Sequence, residues 1–271
     1  MAIRLSRFWL WTAPLLTGLA AAVLFGVGFV LALRGSIGEP IGDPPPPPEQ
    51  PATARPPRNG SLRILVVGDS LAKGTGDETG KGFAVGVLEA FRKAGSAAQI
   101  TNIGVNGMES PEVRALVDTP NVRALAAGAS LILVSAGAND LSHGVTRGSD
   151  STAEIADAVA AARGRYVENL RRILETLREA NPTATICVLG LYDPFGQQTG
   201  PGRIGASVIV QWNTLLQETA LAFPNVYVVP TFDLFYGRPD RLAADRYHPN
   251  AKAYAEIAAR VMQVAGSRPL R

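Results

Sequence analysis

The sequence predicts an α/β domain in which helices cover both faces of a parallel sheet. Three observations predict it: short and almost wholly apolar segments recur, longer segments with helical periodicity separate them, and glycines and polar residues follow the apolar segments directly. Near-continuous apolar strands occur where both faces of a sheet are buried, and parallel strands need crossover connections that are usually helical. In such sheets the ligand site lies at the carboxyl ends of the strands.

Five apolar segments, rich in Val, Ile and Leu and ending near turn residues, have strand character. They are Leu62–Gly68, Gln99–Ile103, Leu131–Ala136, Thr185–Leu189 and Val226–Val229. Four longer segments have helical character: Gly82–Ala94, Ala153–Ala180, Ile204–Ala222 and Pro249–Val264. Asn181-Pro182 ends the second of these helices, and Pro249 is expected near the first turn of the last one.

Residues Phe8 to Leu33 form an apolar segment without a charged residue. A helix of about 26 residues is roughly 39 Å long, which exceeds the ~20 residues needed to cross the hydrocarbon core of a bilayer. Arg4 and Arg7 precede the segment and favour an N-terminus on the cytoplasmic side. We expect residues 1–34 to be a transmembrane anchor. A cleaved signal peptide is the alternative, although its apolar region usually runs only about 7–15 residues.

Residues 35–60 are rich in proline and include the run Pro44–Pro48. This composition is typical of an extended linker and is too poor in apolar residues to build a core. The globular domain is therefore expected to be residues 61–271. The orientation of the anchor places this domain outside the cytoplasm, attached to the cell membrane, or secreted if the segment is cleaved.

The composition excludes several classes of protein. A chain that is 46% hydrophobic is not disordered throughout, and a single cysteine excludes an intrachain disulfide or a zinc site built from cysteines. Two histidines make a multi-histidine metal centre a poor interpretation. The net charge is +3, and the first 60 residues contribute five Lys/Arg against three Asp/Glu, so the domain is nearly neutral and nothing indicates nucleic acid as a partner.

Four polar motifs follow three of the predicted strands or precede the last helix. They are Gly68-Asp69-Ser70-Leu71, Gly104-Val105-Asn106-Gly107, Gly137-Ala138-Asn139-Asp140 and Asp245-Arg246-Tyr247-His248. Each motif alone is also typical of an ordinary turn or helix cap. Together they assemble one chemistry: an exposed serine hydroxyl, an amide that can donate to an oxyanion, and a carboxylate three residues before a histidine, close enough to hold its imidazole against a nucleophile.

With these motifs in this order, the chain resembles the GDSL esterases and lipases, also called SGNH hydrolases, over roughly residues 62–264. The resemblance implies a three-layer α/β/α fold with a flavodoxin-like, five-stranded parallel sheet. It also implies Ser70 as the nucleophile, His248 as the general base and Asp245 as the carboxylate that orients it. The Ser70 and Gly107 N–H groups and the Asn139 side chain match the oxyanion hole of the family.

The expected function is therefore that of a serine esterase or lipase-type acylhydrolase, which needs neither a metal nor an organic cofactor. Its substrate is a carboxylic ester: a lipid, a lysophospholipid or an acetylated component of the cell envelope. The alternatives are an O-acyltransferase acting on envelope polysaccharide, a metal phosphoesterase that uses Asp69, Asp140 and His248 as ligands, and a binding module without catalysis.

Other residues have expected structural roles. Asp69 and Asp140 are expected to hold turns through bonds to the backbone, and Cys187 to be buried inside the fourth strand. His143 is expected in a loop near the mouth of the site, where it either contacts substrate or is simply exposed. The long segment Tyr192–Gly205 follows a strand and is placed to cover the cleft.

Overall fold

The computed structural model describes Val23, residues 61–147, 152–194 and 205–266, and Leu270. The chain divides into two units, Met1–Ala52 and Thr53–Arg271, and the elements named below belong to the second. The predicted membrane segment lies outside the described residues, apart from Val23. Within the described residues, every helix is too short or too polar to span a bilayer.

Five strands form one parallel sheet, as predicted. The strands are β1 (Leu62–Gly68), β2 (Ala98–Asn102), β3 (Leu131–Ser135), β4 (Thr185–Leu189) and β5 (Val226–Val229). Their order in the sheet is β2-β1-β3-β4-β5, and every neighbouring pair is parallel. This is the flavodoxin-like order, in which the chain changes direction across the sheet between β1 and β3 and leaves a crevice at their carboxyl ends.

The helices of the described residues include the four that were predicted, each within two residues of its expected bounds. They are α1 (Ser70–Lys73), α2 (Gly82–Lys93), α3 (Ser110–Val117), α4 (Pro120–Ala127), α5 (Ala138–Arg147), α6 (Thr152–Ala180), α7 (Ala206–Leu221), α8 (Phe232–Phe235) and α9 (Ala251–Ala265), with a 3₁₀ turn at Pro239–Arg241. Pro249 lies near the first turn of α9, as expected, but it precedes the helix rather than beginning it. Asn250 caps this helix instead, accepting a hydrogen bond from the Ala253 N–H at 3.1 Å.

Five of the helices in the described residues were not predicted, and two of these, α1 and α8, have only four residues each. α3 and α4 have eight residues each, and Asp118 and Thr119 separate them, so neither is long enough to show a clear helical period. Each has a proline in its first turn, a position that suits proline because the residue lacks an N–H group and has a fixed φ. α5 begins within the Gly137–Asp140 motif, where no helix was predicted.

The sheet is buried on both faces, which confirms the three-layer arrangement. Successive residues of β1 alternate between two apolar clusters. Leu65 and Val67 enter the cluster that contains residues of α3 to α7, whereas Ile64 and Val66 enter the cluster that contains residues of α2 and α9. This double burial explains the almost wholly apolar sequence of the strand.

Candidate active site

Ser70 is placed by a sharp turn at the end of β1. Asp69 caps α1, and its Oδ1 accepts a hydrogen bond from the Leu71 N–H at 3.0 Å. Ser70 is therefore the first residue of the helix, where N–H groups have no acceptor within the helix. In the part of the chain that the structure describes, no acceptor is paired with the Ser70 N–H, so this group is available to a ligand oxygen.

The buried carboxylate of Asp69 ties this turn to the neighbouring strand. Its Oδ1 accepts a hydrogen bond from the Ser135 Oγ at 2.6 Å, and the same hydroxyl oxygen accepts the Ala72 N–H at 3.1 Å. Burial raises the pKa of Asp69, although these hydrogen bonds oppose the shift. The expectation that Asp69 holds a turn is thus confirmed, and the contact with Ser135 extends its role to the end of β3.

His248 lies between Ser70 and Asp245. Its Nε2 is 3.0 Å from the Ser70 Oγ, and its Nδ1 is 2.6 Å from Asp245 Oδ2. The other carboxylate oxygen of Asp245 accepts the backbone N–H groups of Tyr247 and His248 at 2.9 and 3.0 Å. Since an ionised carboxylate only accepts hydrogen bonds, Nδ1 carries the proton and Nε2 is left to accept the Ser70 hydroxyl.

The hydrogen bonds to Asp245 keep it ionised. Partial burial acts to raise its pKa, but the bonds from the imidazole and from the two N–H groups outweigh this effect and leave the pKa below its usual value. An ionised Asp245 favours a single orientation of the imidazole, with Nε2 towards Ser70.

This pKa shift gives a testable dependence of stability on pH. A carboxyl group whose pKa is lower in the folded chain than in the unfolded chain stabilises the fold at pH values above its unfolded pKa of about 3.9. This contribution is lost as the pH falls through the folded-state pKa. The Asp245→Asn variant is therefore expected to melt below the unmodified chain at pH 7, with the difference shrinking below about pH 4. Melting curves at pH 3 to 8 measure this difference. A difference in melting temperature that does not change with pH contradicts the lowered pKa of Asp245.

The other two predicted oxyanion donors lie on neighbouring elements. Gly107 belongs to an exposed turn after β2, and Asn139 is the second residue of α5. The Asn139 Nδ2 donates a hydrogen bond to the Met108 carbonyl oxygen at 2.8 Å. An amide nitrogen carries two N–H groups, so this bond orients the side chain and leaves its second N–H for a ligand.

Asp140 and His143 differ from their expected roles. Asp140 does not hold a local turn: its carboxylate accepts the Ser110 N–H at 2.8 Å and the Ser110 Oγ at 2.5 Å, which joins α5 to the start of α3. His143 lies within α5 rather than in a loop, and its Nδ1 is 2.6 Å from Glu109 Oε1. One face of α5 thus holds the three residues that follow Gly107. Asn139 contacts Met108, His143 contacts Glu109, and Asp140 contacts Ser110.

The sequence profile of the GDSL-like lipase/acylhydrolase family matches residues 66–256, a range that contains Ser70, Gly107, Asn139, Asp245 and His248. The chain belongs to this family. The expected class of enzyme, a carboxylic ester hydrolase, is thereby confirmed, together with the resemblance inferred from the motifs.

Individual proteins that this chain resembles are distant from it in sequence. The spore germination lipase LipC of Bacillus licheniformis is 23% identical over 214 residues, which are 76% of this chain and 97% of LipC. The uncharacterized protein YpmR of Bacillus subtilis is 27% identical over 205 residues, 74% of this chain and 80% of YpmR. The solved structure of lipase Lip_vut3 from a goat rumen metagenome shares the fold, with a TM-score of 0.66, 20% identity, and coverage of 77% of this chain and 99% of that one.

A small apolar pocket adjoins Ser70 in this GDSL-like domain. Its volume is about 40 Å³, enough for about three water molecules. Leu71, Ala138 and Leu191 contribute apolar walls, and Tyr192 and Tyr247 also line the pocket. The Tyr192 hydroxyl donates to the Tyr247 carbonyl oxygen at 2.9 Å, which joins the end of β4 to the segment that carries His248. The sequence did not indicate this pocket, although its lining includes both neighbours of Ser70, Asp69 and Leu71, and the residue before His248, Tyr247.

Cys187 is buried in β4, as expected. The predicted cover of the cleft lies mostly outside the described residues, which include Tyr192–Pro194 and Gly205 but not residues 195–204. Its role therefore stays a prediction.

Proposed function

We propose that this chain hydrolyses carboxylic esters through an acyl-enzyme on Ser70, with His248 as general base and Asp245 as the residue that orients it. The observation that supports this most directly is the continuous contact from Ser70 Oγ to His248 Nε2, at 3.0 Å, and from Nδ1 to Asp245, at 2.6 Å. A serine hydroxyl is a weak nucleophile at neutral pH, and a base within hydrogen-bond distance activates it.

The reaction has two stages. In the first, Ser70 Oγ attacks the ester carbonyl carbon while its proton passes to His248 Nε2, and the carbonyl π electrons move to the oxygen. The tetrahedral intermediate then collapses, the bond to the alcohol oxygen breaks, and the alcohol leaves with the proton from His248. In the second stage water attacks the acyl group, gives its proton to His248, and Ser70 leaves with that proton.

The oxyanion of both tetrahedral intermediates needs donors at fixed positions. We propose the N–H groups of Ser70 and Gly107 and the second N–H of Asn139 for this role. The helix start at Ser70 and the bond that orients Asn139 towards Met108 support two of the three donors. One donor of this kind typically contributes about 3–4 kcal/mol to stabilisation of the transition state.

For the substrate, we propose an uncharged acyl chain that enters the apolar pocket beside Ser70, with the alcohol part of the ester directed to the open side of the cleft. The volume of about 40 Å³ favours a short acyl chain. Lipid, lysophospholipid and acetylated envelope esters all present a carbonyl of this kind. LipC, one of the relatives, is a lipase of spore germination, which is consistent with a lipid ester as one of these substrates.

We also propose that residues 1–34 anchor the chain in the membrane, that residues 35–60 are a linker, and that the hydrolase domain of residues 61–271 acts outside the cytoplasm. The uncharged segment from Phe8 to Leu33 and the two preceding arginines support this arrangement. Extraction of membranes at alkaline pH is expected to leave the full chain in the pellet. Protease added to intact spheroplasts should remove the hydrolase domain, and release of an intact soluble chain would exclude an anchor.

The central test uses the full chain and p-nitrophenyl esters from acetyl to dodecanoyl. We expect turnover with a maximum among the short chains, and loss of activity after treatment with a fluorophosphonate, with peptide mapping that locates the modified residue at Ser70. A maximum at long chains would contradict the pocket assignment but not the reaction. Absence of turnover from folded protein, with no labelling of Ser70, would contradict the proposed function.

A further inference from the structure

Thr75 lies five residues beyond Ser70 and makes hydrogen bonds with three different parts of the site. Its N–H donates to the Ser70 carbonyl oxygen at 3.0 Å. Its own carbonyl oxygen accepts the Tyr254 hydroxyl of α9 at 2.8 Å. Its side-chain hydroxyl donates to Asn106 Oδ1 at 2.6 Å. One residue thus connects the helix of the nucleophile, the helix that follows His248, and the turn that contains Gly107.

The contact with Asn106 matters because Gly107 has little else to hold it. Gly107 is exposed, and a Cβ atom added to it would meet no neighbouring atom within 4 Å. Its position therefore depends on the residues on either side. On one side Asn139 holds the Met108 carbonyl oxygen at 2.8 Å, and on the other side Thr75 holds the Asn106 side chain.

Thr75 is itself fixed by its surroundings. The next residue, Gly76, packs so closely that an added Cβ would lie 2.6 Å from the His248 Cβ and 2.7 Å from the Pro249 carbonyl oxygen. Further along, a carboxylate oxygen of Glu78 accepts the Ala251 N–H at the start of α9, at 3.1 Å. The segment after the nucleophile is therefore packed on the part of the chain that carries His248, and Thr75 extends from this rigid base to Asn106.

We infer that Thr75 is a positioning residue, which sets the distance between the Gly107 N–H and Ser70 through its hydrogen bond with Asn106. The inference rests on the proposed function, since it assigns Gly107 to the oxyanion hole. Thr75 touches none of the reacting atoms. Its effect follows from the requirement that an oxyanion donor lie at about 2.7–3.1 Å from the position that the oxyanion will occupy.

Removal of the Thr75 hydroxyl is expected to affect the transition state more than the bound substrate, because the oxyanion forms only as the bond to Ser70 is made. The isosteric Thr75→Val variant is expected to lower kcat about two- to tenfold, as loss of one hydrogen bond implies, and to leave KM unchanged. Thr75→Ser keeps a hydroxyl at the same position and is expected to restore most of the rate.

The experiment measures kcat and KM on a p-nitrophenyl ester with the full chain, together with deuterium uptake in the peptide that covers residues 104–108. Thr75→Val is expected to speed uptake in this peptide. Asn106→Ala should lower kcat to a similar extent. The kcat of the double variant should fall no further, because both changes remove the same hydrogen bond. Thr214→Val is the matched control, since its hydroxyl donates to the Val210 carbonyl oxygen on the exposed side of α7, at 3.0 Å.

An effect on KM alone, equal rates in Thr75→Val and Thr214→Val, or unchanged uptake around Gly107 would each overturn the inference. Additive effects of Thr75→Val and Asn106→Ala would also contradict it. Failure of the proposed function has a different signature, because the unmodified chain would then turn over no ester and Ser70 would not react with a fluorophosphonate. In that case the inference about Thr75 fails together with the proposed function.

Discussion

The Ser70→Ala variant is expected to lose about 10⁴-fold or more in kcat/KM for ester hydrolysis, because the nucleophile and base of such a site act as a unit and removal of either one abolishes the covalent route. Its fold should be almost unchanged. Ser70 is 9% exposed, and alanine removes only the hydroxyl that contacts His248. Steady-state kinetics on a p-nitrophenyl ester measure the loss, and a melting curve measures the stability.

Ser96→Ala is the matched control for this variant. Ser96 is also 9% exposed, and its hydroxyl has no hydrogen-bond partner within the described residues. The same chemical change at Ser96 is therefore expected to leave kcat/KM at the level of the unmodified chain. Equal rates for Ser70→Ala and Ser96→Ala would show that Ser70 is not the nucleophile.

The second large effect is expected on stability, from Gly68→Ala. Gly68 ends β1 with a φ of +143°, and an added Cβ would lie 2.0 Å from the Ser135 carbonyl oxygen and 2.6 Å from its hydroxyl oxygen. The backbone strain and the overlap together are expected to lower the free energy of unfolding by about 3 kcal/mol or more. Urea denaturation measures this change through the midpoint, and the slope should stay constant.

Gly95→Ala separates the overlap from the backbone conformation. Gly95 also has a positive φ, +87°, but no neighbouring atom lies within 4 Å of an added Cβ. Its replacement is expected to cost only about 1–2 kcal/mol. If Gly68→Ala and Gly95→Ala have the same midpoint, the close approach of β1 to Ser135 is not what requires glycine at position 68.

The strands were the most predictable part of this fold. Each of the five predicted strands lies within one residue of its observed bounds, because burial on both faces leaves almost no polar residue inside β1, β3 or β4. The spacing of Asp245 and His248 was equally informative, since three residues of separation bring the carboxylate within 2.6 Å of Nδ1. Contacts within a few residues of the chain follow from local geometry, which sequence patterns record directly.

The shorter helices and the long-range contacts were not predictable in this way. α3 and α4 have too few turns to show a helical period. No helix was predicted at α5, so His143 was wrongly expected in a loop. The bond between Asp140 and Ser110 spans 30 residues, and the bond between Tyr254 and Thr75 spans 179. Nothing in the local sequence at either end indicates its partner.

By itself the sequence determined the class of the fold, the family, and the motifs that contain Ser70, Asn139 and His248, because strand burial, tight turns and the Asp-x-x-His spacing are local requirements. Only the tertiary structure decided which residues hold those groups in place. The positions of Thr75 and Gly107 depend on packing between elements that are distant in the chain, and side-chain contacts of that kind are set by the arrangement of the whole sheet and its helices.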